Sequence, residues 1–158
     1  MSKAKTNAMR ILDTHNKKYN VITYDRRDDK IDGISVANKI GRNVRTVFKT
    51  LVAKGKSGEI YVFIIPVAAE LDFKKAANIT REKKIEMIHV KDIRKCTGYI
   101  RGGCSPIGMK KNYPTFVDKS ALDLDTIIVS GGKIGVQIEL DVDDLREITK
   151  GNIDILVK

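Results

Sequence analysis

The most unusual stretch of the chain is TGYIRGGCSPIGMKK, residues 97–111, where Gly98, Gly102, Gly103 and Gly108 surround Pro106 and lead into Lys110 and Lys111. Such a stretch exposes main-chain N–H groups and lets a ligand approach the backbone. Its chemistry would be that of an anion or oxyanion cradle, holding a phosphate oxygen or an ester carbonyl as it gains charge. The plain alternative is a surface turn. A second glycine turn, SGGKIG from Ser130 to Gly135, joins two apolar runs and by itself reads as a hairpin connection with a bulge. Lys49 alternates within VFKTLV, so its cation reaches a sheet edge or a pocket, solvent being the ordinary destination of a strand lysine. Tyr24 ends a strand-like run, either as a core aromatic with a wetted hydroxyl or as a ligand contact.

What is missing narrows the chemistry further. The two histidines, His15 and His89, stand in no zinc-ligand pattern, and no GxSxG, Walker A or dinucleotide glycine fingerprint occurs. Neither histidine is assigned as a general base. Cys96 and Cys104 form neither a CxxC pair nor a metal quartet, and read as separate reduced thiols. Cys104 lies inside the glycine loop without a neighbouring histidine in sequence, so packing is its expected role rather than nucleophilic attack. No metal and no cofactor are expected.

The elements that must carry these residues follow from periodicity. Ala4, Ala8, Ile11 and Leu12 recur at helical spacing, with Ser2 placed as the cap and an end near His15. YNVITYD reads as a strand, RRDDKIDG as a loop, and Ser35 as the cap of a short helix through Ile40 that stops at Gly41. TVFKTLVAK and EIYVFIIPV flank the turn GKSG and predict an antiparallel hairpin. LDFKKAANI and KDIRKC read as helices with the strand IEMIHV between them. TFVDKS, TIIVS and VQIEL read as strands, DVDDLREIT as a helix with acidic residues at its start, and NIDILV as a final strand. This mixed order predicts an α+β fold with a mixed, largely antiparallel sheet flanked by helices, in one domain over residues 1–158.

Composition sets the company this chain keeps. With 42% hydrophobic and 32% charged residues the sequence is that of a folded globule rather than a disordered chain. Thirty Lys and Arg against 20 Asp and Glu give a net charge of +10, which favours a polyanionic partner such as nucleic acid, a solvated lysine-rich surface being the alternative. No run approaches the roughly 18 apolar residues of a membrane span, and Asn7, Arg10 and Asp13 interrupt any export signal, so a cytoplasmic protein is expected.

Taken in order and spacing, VFKTLV, YVFIIPVAAELDFKKAA, TGYIRGGCSPIGMKK and IIVSGGKIGVQIEL resemble the YbaK-type deacylases and the related insertion domain of bacterial prolyl-tRNA synthetases. The resemblance covers nearly the whole chain. It implies a compact α+β fold with a barrel-like sheet and a pocket between the lysine strand and a GxxxP loop. By the same resemblance Lys49 corresponds to the essential lysine, and Gly102 to Pro106 (GGCSP) to the loop that positions the aminoacyl ester. Gly102 and Gly103 then act with Lys49 in catalysis, with Ser105, Pro106 and Gly108 in substrate binding. Tyr24 matches a tyrosine at the pocket mouth, and Ser130, Gly131, Gly132, Lys133 and Gly135 match a second turn lining it. A family aliphatic position is Cys104 here.

The implied activity is free-standing removal of mischarged cysteine from tRNA(Pro), and from tRNA(Cys) as a further substrate, with prolyl-tRNA synthetase as partner. Cysteine-specific members use the substrate's own thiol to attack its ester, leaving as a cyclic thiolactone. Held geometry then supplies effective molarities on the order of 10⁵ M or more without a protein nucleophile. Two alternatives stand beside this: a deacylase for alanine or another small residue that uses water, and a tRNA- or synthetase-binding module without turnover.

Overall fold

The computed structural model describes residues 5–158. In chain order the elements are α1 (Asn7–Thr14), β1 (Tyr19–Thr23), α2 (Gly33–Lys39), β2 (Phe48–Gly55), β3 (Ile60–Pro66), α3 (Phe73–Thr80), β4 (Ile85–Met87), α4 (Val90–Thr97), β5 (Thr115–Asp118), β6 (Thr126–Lys133), β7 (Val136–Asp141), α5 (Val142–Thr149) and β8 (Asn152–Asp154). The GKSG hairpin forms as expected, pairing Phe48–Lys54 with Ile60–Pro66. Five further residues, Lys119–Asp123, form a 3-10 turn that takes over the end of TFVDKS.

Instead of one sheet there are two. β1, β7 and β6 make a wholly antiparallel three-stranded sheet, and β4, β2, β3, β5 and β8 make a five-stranded one in which β3–β5 and β5–β8 are parallel. β3 is buried on both faces, which is why EIYVFIIPV reads as a continuous apolar run rather than an alternating one. Val62 and Ile64 face the other sheet together with Phe48, Val117, Ile127, Val129, Ile138 and Leu140, and α1 and α5 close this core with Leu12 and Leu145. Tyr61, Phe63 and Ile65 face Ala76 and Ala77 of α3 and Leu156 near the C-terminus, with Phe63 stacked on Phe116 at 5.6 Å.

The expected barrel does not close. β4 covers only Ala53–Gly55 of β2, and just before β2 begins the chain meets the other sheet through a single parallel bridge, Val47 to Ile128. The open seam between β2 and the β6–β7 pair is what makes room for a pocket.

Several ends differ from the sequence expectation. The proposed cap Ser2 lies outside the described residues, and Thr6 caps α1 by accepting from the Met9 amide. Asp32, not Ser35, caps α2: its carboxylate accepts from both the Ser35 amide and hydroxyl, because a carboxylate competes better than a hydroxyl for a helix's first free donors. Gly41, at φ +67, does end that helix. The strand in IEMIHV stops at Met87, and His89 stands at the start of α4. Among the described residues no helix is long and apolar enough to cross a membrane.

Candidate active site

Where the seam opens, β2, the end of β1, the start of α2, the 101–104 segment and the β6–β7 pair enclose a cavity of about 660 Å³. Of the residues singled out by sequence, Tyr24, Lys49, Gly102 and Ser130 line it. They are joined by Thr50, Gln137, Arg101 and Cys104. Lys49 and Thr50 are neighbours on one strand and would ordinarily face opposite ways. Both reach the cavity because it lies along the strand's unpaired edge rather than over one face.

Lys49 is half-buried and forms no ion pair among the described residues. Burial lowers its pKa from the usual lysine value, with the more distant Glu70 carboxylate opposing that shift. A desolvated cation without a counter-ion is a ready partner for an anionic group. Nearby, the hydroxyls of Tyr24 and Thr50 are buried without a hydrogen-bond partner. An unpaired buried polar group costs about 1–3 kcal/mol, so the two hydroxyls are open to a polar partner, water or ligand, at this cavity. Gln137, 7% exposed, adds an amide opposite Ser130 across the β6–β7 ladder.

Tyr24 is held from two sides. Its amide donates to the Gly135 carbonyl, and Lys39 Nζ lies 5.9 Å from its ring centroid. That ammonium also donates to the Asp25 and Lys30 carbonyls and the Asp28 carboxylate, tying the 25–30 loop to α2.

The glycine loop divides into a wall and its foundations. Gly102, at φ +84, fronts the cavity, and a methyl there would sit 3.1 Å from Ile31 Cδ1. Gly103 is buried behind it against the β6–β7 turn, where an added Cβ would come within 2.9 Å of the Ile134 nitrogen. Its amide donates to the Ile100 carbonyl at 3.0 Å, which removes Gly103 from the free oxyanion donors. The Gly102 and Cys104 amides make no hydrogen bond to a described residue. Ser105 is fully buried, and its hydroxyl accepts from the Ile107 amide; Pro106 is buried beside it. Gly108 faces α1, its carbonyl accepting from Asn7 Nδ2 at 2.8 Å.

The second turn contributes less to the cavity than the resemblance implies. Ser130 lines it, and its hydroxyl accepts from the Gly132 amide. Gly131 packs on Val136, Gly132 on Tyr99 and Thr6, Lys133 is exposed, and Gly135 acts through its carbonyl on Tyr24. Ser105, Pro106, Gly108, Gly131, Gly132, Lys133 and Gly135 therefore sit outside the lining and shape it from behind. Sequence reasoning passed over Thr50 and Gln137. The only signal for Gln137 is an amide set among apolar residues in VQIEL.

Cys104 lines the cavity, yet burial pushes its thiol up to about 11, with Thr97 opposing through a hydrogen bond. At neutral pH it is a thiol, the weak form of the nucleophile. Cys104→Ser is expected to retain ester cleavage within about threefold, since packing rather than thiolate chemistry is at stake; single-turnover rates of the two proteins make the comparison. A loss beyond 10²-fold would assign the sulfur a chemical role.

Comparison with known proteins places this geometry. Residues 32–148 match the family described as the aminoacyl-tRNA editing domain. A protein of Enterococcus faecalis that carries the name Cys-tRNA(Pro)/Cys-tRNA(Cys) deacylase EbsC is 45% identical over 147 residues, 93% of this chain and 90% of that protein. A proline--tRNA ligase of Brachyspira hyodysenteriae is 28% identical over 95 residues, which are 60% of this chain but 16% of the ligase. A crystal structure described as a trans-editing enzyme for prolyl tRNA synthetase superposes with a TM-score of 0.84 at 21% identity, covering 99% of each chain, and speaks for the fold. The chain belongs to the aminoacyl-tRNA editing domain family.

Proposed function

We propose that this protein is an aminoacyl-tRNA deacylase that clears cysteine from mischarged tRNA(Pro), and from tRNA(Cys) as a further substrate, with residues 1–158 forming the editing domain. The observation that carries this reading is Lys49: a desolvated, unpaired cation that lines, together with two residues whose hydroxyls are unpartnered, a cavity whose thiol is protonated. That equipment binds and orients; it does not attack. The relation to EbsC along most of both chains supports the same substrate class, and the ligase match supports prolyl-tRNA synthetase as the protein that makes the substrate and partners this one in the cytoplasm.

In this scheme Lys49 holds the charge of the terminal phosphate or the ester oxygen. The Gly102 and Cys104 amides receive the carbonyl oxygen as the tetrahedral centre forms. Tyr24 and Thr50 satisfy their hydroxyls on the aminoacyl group and the terminal ribose. The substrate sulfur forms a bond to its own carbonyl carbon, the bond from that carbon to the ribose oxygen breaks, and the thiol proton ends on the ribose hydroxyl. A cyclic thiolactone and free tRNA leave. Ring closure in a held geometry needs no group on the protein to form a covalent bond.

The test is a panel of proline tRNA charged separately with cysteine, alanine, serine and proline, each followed for ester loss against a protein-free control. Rapid loss of cysteine alone, with thiolactone as the first product, is the expected result. Preferential loss of alanine would transfer the reaction to water attack, and four stable esters would reduce the protein to a binding module.

A further inference from the structure

A larger cavity, about 870 Å³, lies at the other end of β2. It is a groove bounded by the β2–β3 turn, β4 and α4. Lys54, Lys56, Lys83, Lys84 and Lys95 line it against two carboxylates, Glu86 and Asp92, leaving a net of three positive charges before any contribution from His89. Lys84 pairs with Glu86 at 2.7 Å, whereas Lys54, Lys56, Lys83 and Lys95 have no ion pair among the described residues. Nothing in the reaction outlined above uses them.

We infer that this lysine groove is a second docking site, for the sugar-phosphate backbone of the acceptor stem, at the far end of the strand that carries Lys49. This rests on the deacylase reading. Two elements run from one cavity to the other: β2 carries Lys49 in the pocket and Lys54 in the groove, while α4 carries Lys95 in the groove and leads to Arg101 and Gly102 in the pocket. Five strand residues at ~3.3 Å each separate Lys49 from Lys54 by roughly 17 Å. At ~3.4 Å per stacked nucleotide that span is about five nucleotides, enough to carry a chain held by its aminoacylated end across the unpaired 3′ terminus and onto the first paired phosphates. A polyanion of repeating charge matches lysines spaced along a trough. An extended peptide would find little main chain to pair with, because β4, the sheet edge here, is three residues long.

Lys54, Lys56 and Lys83 are all exposed, so replacing them with glutamine leaves the core untouched. Binding of uncharged, fluorescently labelled tRNA(Pro) is read across a salt series for wild type and for the Lys54→Gln/Lys56→Gln/Lys83→Gln protein. The triple variant is expected to bind at least about tenfold more weakly at low salt, with a log–log salt slope shallower by about two, since each phosphate contact contributes ~0.7–0.9. Its kcat/KM on cysteinyl-tRNA should fall toward the value for a 3′-cysteinylated CCA trinucleotide, which cannot reach the groove. Unchanged affinity and slope would overturn the inference, as would intact RNA binding with lost capture of prolyl-tRNA synthetase, which would give the groove to a protein. Because the binding arm needs no turnover, a protein that binds tRNA through the groove but cleaves no ester would sink the deacylase reading alone.

Discussion

Lys49→Met is expected to lower single-turnover ester cleavage by about 10²–10³-fold, the scale on which removing one preorganised charge or donor acts, while the thermal midpoint rises slightly. The two effects share one cause. Lys49 is held partly out of water with no carboxylate in ion-pair contact, and burial outweighs the opposing Glu70 carboxylate, so its charged form is disfavoured and its pKa lies below the ordinary lysine value. Between that lowered value and the unfolded one, the unfolded chain holds more protons and stability climbs with pH. Below the lowered value the burial penalty stands in full. Methionine removes the penalty and the function together. Cleavage by the wild type should also fade on the alkaline side, as the ammonium loses its proton earlier than an ordinary lysine would, a limb that must be missing from the variant's profile. Lys49→Arg is expected to restore little, because a planar guanidinium does not fit where a compact ammonium meets one anionic group. Circular dichroism on the same samples separates loss of chemistry from loss of fold; an active Lys49→Met protein would overturn the site assignment.

Gly103→Ala should cost nearly as much without touching a reacting atom. An added methyl carbon at this position would lie 2.9–3.0 Å from the backbone of Lys133 and Ile134. Backbone cannot swing aside as a side-chain tip can, so the loop and the β6–β7 turn must part. Overpacking of this kind costs about 1–3 kcal/mol. The movement carries Gly102 and Cys104 with it, and a misplacement of the order of an ångström can cost 10²-fold in rate. Urea denaturation and single-turnover cleavage on the same protein test both halves. Gly41→Ala supplies the contrast: its φ of +67 strains any side chain, but the space around it is open, so about 1 kcal/mol of stability should go with no change in rate. Equal losses of rate in the two proteins would show that instability, not loop position, sets activity.

Much of the fold is legible in local pattern. The β2–β3 hairpin, α3 and α5 declare themselves through alternation, turn residues and helical spacing, which are properties of neighbours in sequence. The division into two sheets is not local. It depends on β4 stopping at Met87, so that the first half of β2 has no partner on one edge, and nothing within VFKTLV announces that its neighbour will be short. The site shows the same split. Lys49, Gly102, Ser130 and Tyr24 are recognisable by residue type and company. Ser105 and Gly108 look alike in sequence to residues that face a ligand, yet the first spends its hydroxyl on Ile107 and the second its carbonyl on Asn7, two partners that only the folded loop brings near. Thr50 was hidden by the rule of alternation itself, which fails where a cavity lies along a strand's edge instead of across its face.

Lys39 gives the pocket a property that its lining does not reveal. One ammonium ties three points of the 25–30 loop to α2 and stands beside the Tyr24 ring. The aperture is thus governed from outside the chamber, by a side chain that touches neither Lys49 nor the glycine loop. A substitution at Lys39 would loosen the 25–30 loop, and with it the mouth of the cavity, while leaving Lys49 and Gly102 in place.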